Sequence, residues 1–224
     1  MEQLNKFVER IETTLLKGVR LESENPYDPV VVKHTPTGWS CIGAGNYAAV
    51  FAYQGNEEWV VKIYAREQEG LKKEAKVYRK LGGHPAYSEL IYQGEQYLVL
   101  KRLRGITLYE AVHKGIQIHE SIIHDVNEAL QYARERGLTP CDIHGKNVMM
   151  NEGKGYVVDI SDFYKPGEDE KWNDLVKAYY KFYKPFFYKY SIPIPDFVLD
   201  AIRHSYRFYR KWRKKRKQVQ LYKG

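Results

Sequence analysis

The sequence predicts an α+β fold, a small antiparallel sheet with one helix followed by a mainly helical half, in one globular unit or two lobes. Three observations lead there. Residues 39–64 read as strand, glycine turn, strand, turn and strand, with apolar residues at period two. A helical repeat from Glu67 to Leu81 then separates these strands from two more, Tyr87–Gln93 and Tyr97–Leu100. Beyond Arg104 helical periods dominate, broken by short β-branched runs that carry Asp142, Asn147 and Asp159.

Bulk properties narrow the class. The 224 residues, 43% hydrophobic, suffice for one globular unit or two small lobes sharing a cleft. No apolar run reaches membrane-spanning length, and the first 18 residues are amphipathic and charged, unlike a signal peptide. Cys41 and Cys141 lack metal-ligand spacing, which makes a reduced, cytoplasmic setting the default expectation. The seven histidines are scattered and form no visible metal cluster. The net charge of +8 is local: residues 201–224 hold ten Lys/Arg and no acid. Subtracting these ten leaves −2 for residues 1–200, so the body is near neutral and the basicity is an appended tail.

Residues 3–17 read as a helix with Leu4, Phe7, Val8, Ile11, Leu15 and Leu16 on one face, packing on the first lobe. A proline-rich connector, Asn25–Gly38, carries one short strand at Val30–Lys33. In WSCIGAGNYAAVFAYQG, Ile42 and Val50 bracket Gly43, Ala44, Gly45, Asn46 and Ala48. A dinucleotide-binding reading needs a helix directly after the glycines. The chain instead continues as strand, which makes a hairpin whose backbone can approach phosphates, or an ordinary Gly-rich hairpin. Lys62 follows Val60-Val61 on the next strand and, facing inward, requires an anionic partner. Glu74 is the candidate partner rather than Glu69, in the frame E-x-x-x-Y-x-x-L-x-x-H-P. A polar bend at Arg104-Gly105 follows Leu98–Leu103 and suits a hinge. Leu108–Val112 is a short helix and Glu120–Arg136 a long one, ending at the C-cap Gly137.

Taken in order, Gly43-Ala44-Gly45, Lys62, Glu74, Asp142 with Asn147, and Asp159 resemble the protein-kinase-like superfamily over roughly residues 39–163. The resemblance implies ATP and Mg²⁺ as cofactors. Gly43 and Gly45 would cover the phosphates, and Lys62 paired with Glu74 would hold the α- and β-phosphates. Asp142 would orient and deprotonate the acceptor hydroxyl, and Asn147 and Asp159 would bind Mg²⁺. Ile42, Val50, Val60 and Leu100 would form the adenine pocket, with the backbone of Lys101 and Leu103 on the adenine edge. The implied domains are 1–36 (helix and connector), 37–103 (N-lobe), 104–212 (C-lobe) and 213–224 (basic tail).

The departures from the family are informative. Pro140-Cys141 replaces the usual His-Arg before Asp142, Ile160-Ser161 replaces Phe-Gly after Asp159, and no Ala-Pro-Glu follows. Such a chain is similar to the compact branch of minimal bacterial Ser/Thr kinases and RIO-type kinases, and needs no activation-loop phosphate. His144 stands two after Asp142, where Ser/Thr kinases usually carry lysine; Asp-x-His-x-x-Asn is also the pattern of small-molecule phosphotransferases. Lys146 could supply the missing charge or point to solvent. The acceptor hydroxyl is therefore on a protein or on a sugar- or aminoglycoside-like molecule, and a pseudokinase or ATPase-type binding module is the third reading.

In the back half, Trp172–Phe187 reads as a helix bent or ended by Pro185. Asp174, near its start, either braces the catalytic loop or is an exposed first-turn acid. A terminal helix follows, with Leu199, Ile202, Tyr206, Tyr209 and Trp212 on one face. The basic run within residues 207–217 exceeds what that face can bury. It is a solvated helix end, an RNA or ribosome contact, or an anionic-membrane contact.

Overall fold

Alternation along five strands decides the architecture. In the computed structural model, residues 2–23, 25, 28–66, 68–167 and 170–221 are described. Glu67, the expected first residue of a helix, lies outside them, as do the side chains of Gln68, Arg210, Lys211 and residues 213–221. The N-terminal helix α1 (Glu2–Arg10) continues through a π-helical turn, Ile11–Leu15, into a last turn, α2 (Leu16–Gly18). Thr13 and Thr14 hydroxyls donate to the Glu9 and Arg10 carbonyls, at 2.7 and 2.6 Å, alongside this widened stretch. A two-stranded antiparallel pair follows, β1 (Arg20–Glu22) and β2 (Val31–His34), one residue later than the strand read from the sequence.

The main sheet contains β3 (Trp39–Ala44), β4 (Ala48–Tyr53), β5 (Trp59–Tyr64), β6 (Leu90–Gln93) and β7 (Tyr97–Lys101). Its order is β3-β4-β5-β7-β6 and every pairing is antiparallel. Helix α3 (Gln68–Leu81) lies between β5 and β6 in the chain. Period two sends Ala49, Phe51, Val61, Ile63, Tyr97 and Val99 to one face, where Phe7, Ile11, Leu15 and Trp39 cover them. The opposite face presents Ala48, Ala52, Val60, Leu98 and Leu100 to α3 and to a larger core. The strand expected at Tyr87–Gln93 begins only at Leu90. Tyr87 instead makes an isolated bridge to Val157 and donates its hydroxyl to the Ala129 carbonyl at 2.7 Å.

After the sheet come β8 (Ile106–Thr107), α4 (Leu108–Lys114), α5 (Glu120–Glu135), β9 (Val148–Asn151) and β10 (Lys154–Val157). Thr107 and Glu110 form a capping box on α4, which ends at Gly115 in the left-handed region. The β9–β10 turn, Glu152-Gly153, has φ of 48° and 75°, as a two-residue hairpin with primed geometry needs. The small sheet has the order β10-β9-β8. Inward residues of α5, Ile122, Ile123 and Val126, join the core that reaches the main sheet.

The last helices correct two expectations. Helix α6 (Lys171–Ala178) passes into a π-helical segment, Tyr179–Phe187, instead of one regular helix. Pro185 lacks the N–H that an α-turn needs at that point. Helix α7 (Asp196–Leu221) runs through residue 213 without a break. Its supposed buried face is mostly open, for Ile202, Tyr209 and Trp212 are exposed, and only Leu199 and Tyr206 are half-buried. Tyr206 donates to Asp174 Oδ2 at 3.0 Å, so this acid receives a tyrosine of the terminal helix.

Because Ile11 is wholly buried and Ile202 is 56% exposed, the two isoleucines should respond differently to truncation. Ile11→Ala is expected to cost about 2–5 kcal/mol in urea unfolding, and Ile202→Ala roughly 0.5 kcal/mol or less.

Candidate active site

Lys62 is the middle residue of its inward row on β5, between Val60 and Tyr64, with β4 and β7 on either side. Its Nζ lies 2.8 Å from Glu74 on α3 and 3.5 Å from Asp159 Oδ1, 97 positions along the chain. Glu74 is fully buried, and its other neighbour is the Tyr64 hydroxyl, which donates to Oε2. Asp159 Oδ1 also accepts from the Ser161 amide at 3.1 Å. The Lys62 side chain is 12% exposed and that of Asp159 38%, so only the Asp159 end opens outward.

The charges govern one another. Burial works to strip the Lys62 proton, but the Asp159 and Glu74 carboxylates outweigh it and raise the pKa well above that of an ordinary ammonium. Burial pushes Glu74 up to about 7, with Lys62 pulling the other way without cancelling it. Asp159 is held below the carboxylate range because Lys62 and the Ser161 amide overcome its own desolvation. Burial, then the nearby Glu74, pushes the Tyr78 phenol up.

The Asp142–Asn147 stretch is tied to the same neighbourhood through the backbone. Asn147 Nδ2 donates to the Asp142 carbonyl at 3.0 Å, and the Asn147 carbonyl accepts from the Val158 amide at 3.0 Å, one residue before Asp159. Asp142 has φ +60°, a left-handed conformation uncommon outside glycine and often found at functional sites. The segment after Asp159 is pinned back on the loop: Thr139 N–H donates to Phe163 O at 2.9 Å, and Cys141 Sγ donates to Asp162 O at 3.1 Å.

Sequence comparison adds one relative. Over 180 residues the chain is 35% identical to "Putative serine/threonine-protein kinase YrzF" of Bacillus subtilis (strain 168), covering 79% of this chain and 82% of that protein. The chain belongs to the protein-kinase-like family. No protein-family model matches the sequence.

The other residues that kinase-like chemistry would use are placed as follows. Ile42, Gly43 and Ala44 are exposed at the end of β3, and Gly45 and Asn46 in the turn to β4; Ile42 sits at a register shift. A Cβ on Gly43 would meet nothing within 4 Å, and one on Gly45 only the Ala48 carbonyl at 3.9 Å. Among the described residues nothing demands glycine at either position. Val60 and Leu100 are buried and paired across β5 and β7, with Val50 half-buried beside them. Leu103 is half-buried. The Lys101 amide donates to Glu89 O at 2.9 Å. Its carbonyl accepts from Ser88 Oγ at 2.7 Å, leaving one lone pair.

Two neighbours of this site were missed in the sequence, while Tyr78, four after Glu74, was read on the same helix face. Tyr64 follows Lys62 by two, so the strand period could have found it. Lys171, at the start of α6, pairs with Asp142 Oδ1. No spacing rule links residues so far apart. Lys146 is drawn over the Tyr109 ring at 4.5 Å and does not stand free beside Asp142.

Among the described residues, no group of three or more His, Cys, Asp or Glu is placed to hold a metal ion. Asp159 and Asn147 offer two hard oxygen donors, the small protein share that Mg²⁺ takes when phosphate and water complete its octahedron.

Glu74 gives a pH signature. Its folded pKa lies above the unfolded value, so the folded state holds an extra proton between about pH 4.5 and 7. This contribution is intact below that window and is lost as pH rises through it. Relative to Glu74→Gln, wild-type unfolding free energy should therefore fall across that window, by at most about 1.4 kcal/mol per pH unit in urea titrations.

Proposed function

We propose that this chain is an ATP- and Mg²⁺-dependent phosphotransferase, a minimal serine/threonine protein kinase with its nucleotide between two lobes. The observation that carries the reading is the single ammonium of Lys62 shared by Glu74 from α3 and Asp159 from the segment after β10. When bound, the magnesium nucleotide supplies an activated phosphoryl group and a cation that neutralises it. Lys62, oriented by Glu74, would hold the inner phosphates, and Asp159 with Asn147 would ligate the metal. Asp142 would take the acceptor hydroxyl's proton as that oxygen bonds to the γ-phosphorus. The electron pair of the broken P–O bond would stay with the departing diphosphate. Unfilled space at Gly43 and Gly45 supports close approach of phosphates to the β3–β4 backbone. At the adenine edge the remaining contacts are the second lone pair of the Lys101 carbonyl and Leu103.

His144 favours a second acceptor class. A histidine two after Asp142 is the small-molecule phosphotransferase pattern, and its Nε2 lies 3.9 Å from Asp142 Oδ2. Incubation with γ-labelled ATP separates the readings. Label on serine or threonine of the chain or of added protein supports the first; label only on sugar or aminoglycoside alcohols supports the second. In either case Asp142→Asn should lower turnover on the order of 10²- to 10⁴-fold with little change in nucleotide affinity. Unlabelled acceptors of every kind, with all cellular function kept by Asp142→Asn, would leave a binding module.

Helix α7 supports a partner proposal. Phe197 (75% exposed), Phe208 (74%) and Trp212 fall on one stripe; Arg207 is exposed to one side of it, and Arg203, paired with Asp200 at 3.0 Å, lies on the far side. An aromatic stripe continuous with a cationic run suits an anionic lipid interface. Deleting residues 210–224 should abolish salt-sensitive sedimentation with phosphatidylserine vesicles and spare nucleotide affinity. Binding to RNA and not to vesicles would overturn it.

A further inference from the structure

A cation stands beside Asp142, yet the catalytic loop does not provide it. His144 Nδ1 accepts from the Lys146 amide at 3.3 Å, which makes Nε2 the protonated nitrogen facing Asp142. Lys146 is held on Tyr109, Lys165 pairs with Asp162 at 2.7 Å, and Lys62 is shared by Glu74 and Asp159. Lys171 Nζ fills the place, paired with Asp142 Oδ1. Its position is not explained by helix stability. Lys171 is the first residue of α6, where the helix dipole disfavours a positive charge. Its side chain is 29% exposed and that of Asp142 38%, and the Oδ1 atom it faces is itself buried. A flexible four-carbon stem nevertheless lets the ammonium shift between neighbouring anions.

We propose that Lys171 is a catalytic residue of the phosphotransfer reaction, which stands on Asp142 until a γ-phosphoryl group arrives and then contacts that group. The inference rests on the phosphotransfer reading above and adds the residue that replaces a catalytic-loop lysine. In the step, the acceptor oxygen bonds to the γ-phosphorus, and the bond to the bridging oxygen breaks with its electrons going to the diphosphate. The acceptor's proton goes to Asp142. Lys171 keeps its own protons throughout. Its charge offsets that on the phosphoryl oxygens, and leaving Asp142 frees the carboxylate to act as base.

The test compares wild type, Lys171→Met and Lys171→Arg in the full-length chain. It measures γ-phosphoryl turnover of MgATP and the affinities for MgADP and for magnesium with a non-hydrolysable ATP analogue. Lys171→Met is expected to lower kcat on the order of 10²-fold, the effect of removing one donor to developing charge. It should weaken the triphosphate analogue about tenfold, as loss of a charge-assisted hydrogen bond does, and leave MgADP unchanged. Lys171→Arg should keep most of the triphosphate preference, and urea midpoints should match wild type. A Lys171→Met protein with wild-type kcat and an unchanged triphosphate-to-diphosphate affinity ratio would overturn the proposal. So would one faster than wild type, for Lys171 would then be only a brake on Asp142. A wild-type chain that neither binds nor turns over ATP would sink the phosphotransfer reading itself, and this inference with it.

Discussion

An ammonium group under a sheet has to be matched, and matching Lys62 orders much of the molecule. An unpaired buried charge costs several kcal/mol. Glu74 answers it from α3 and Asp159 from the far end of β10's hairpin, so one side chain ties together three segments distant in sequence. Two carboxylates around one ammonium leave an excess of negative charge. Glu74 is sealed from solvent, and that burial raises its pKa, with Lys62 opposing the rise and Asp159 adding to it. Asp159 keeps an open side, and Lys62 with the Ser161 amide holds it ionised. The negative charge that can meet an approaching cation is therefore on Asp159.

Placing Lys62 on a central strand has a structural consequence on the other side of the sheet. If Val60, Lys62 and Tyr64 face inward, Val61 and Ile63 must face the opposite way. They are wholly or almost wholly buried, in one cluster with Phe7, Ile11 and Leu15 of the N-terminal helix. Trp39 links the two, packing in that cluster and donating its indole N–H to Thr14 at 3.0 Å. The first eighteen residues thus serve the site indirectly, by making the strand that carries Lys62 buried on both faces.

What could be read in advance was whatever has a local period or a fixed order. The strands at Trp39–Tyr64, the α3 helix and the Gly137 stop on α5 were legible because period two, period 3.6 and a C-cap glycine are local signals. Lys62, Glu74, Asp142, Asn147 and Asp159 were legible as an ordered set. Contacts between distant segments that no family motif names were not. Lys171 meets Asp142 only through the fold, and the Lys101 amide is consumed by Glu89, a β6–β7 pairing detail that a linear reading does not contain. The π-helical Tyr179–Phe187 segment kept the apolar spacing of an α-helix, so period could not reveal it. The exposed face of α7 failed for a related reason: an apolar stripe states what could be buried, not whether anything arrives to bury it.

The short stretch after Asp159 shows how a compact chain can hold its loop without a modification. Where relatives in the wider family place an arginine that receives a phosphate, Cys141 stands, and its thiol donates to the Asp162 carbonyl. The Thr139 amide makes a second tie to Phe163, whose buried ring meets Tyr87 edge-on at 6.3 Å. Ile160 is buried too, in the position where a movable phenylalanine would otherwise act as a switch. Backbone and packing contacts of this kind form without a modification, whereas a phosphate–arginine contact depends on one. At residues 160–163 they tie the segment after Asp159 to the stretch that carries Asp142.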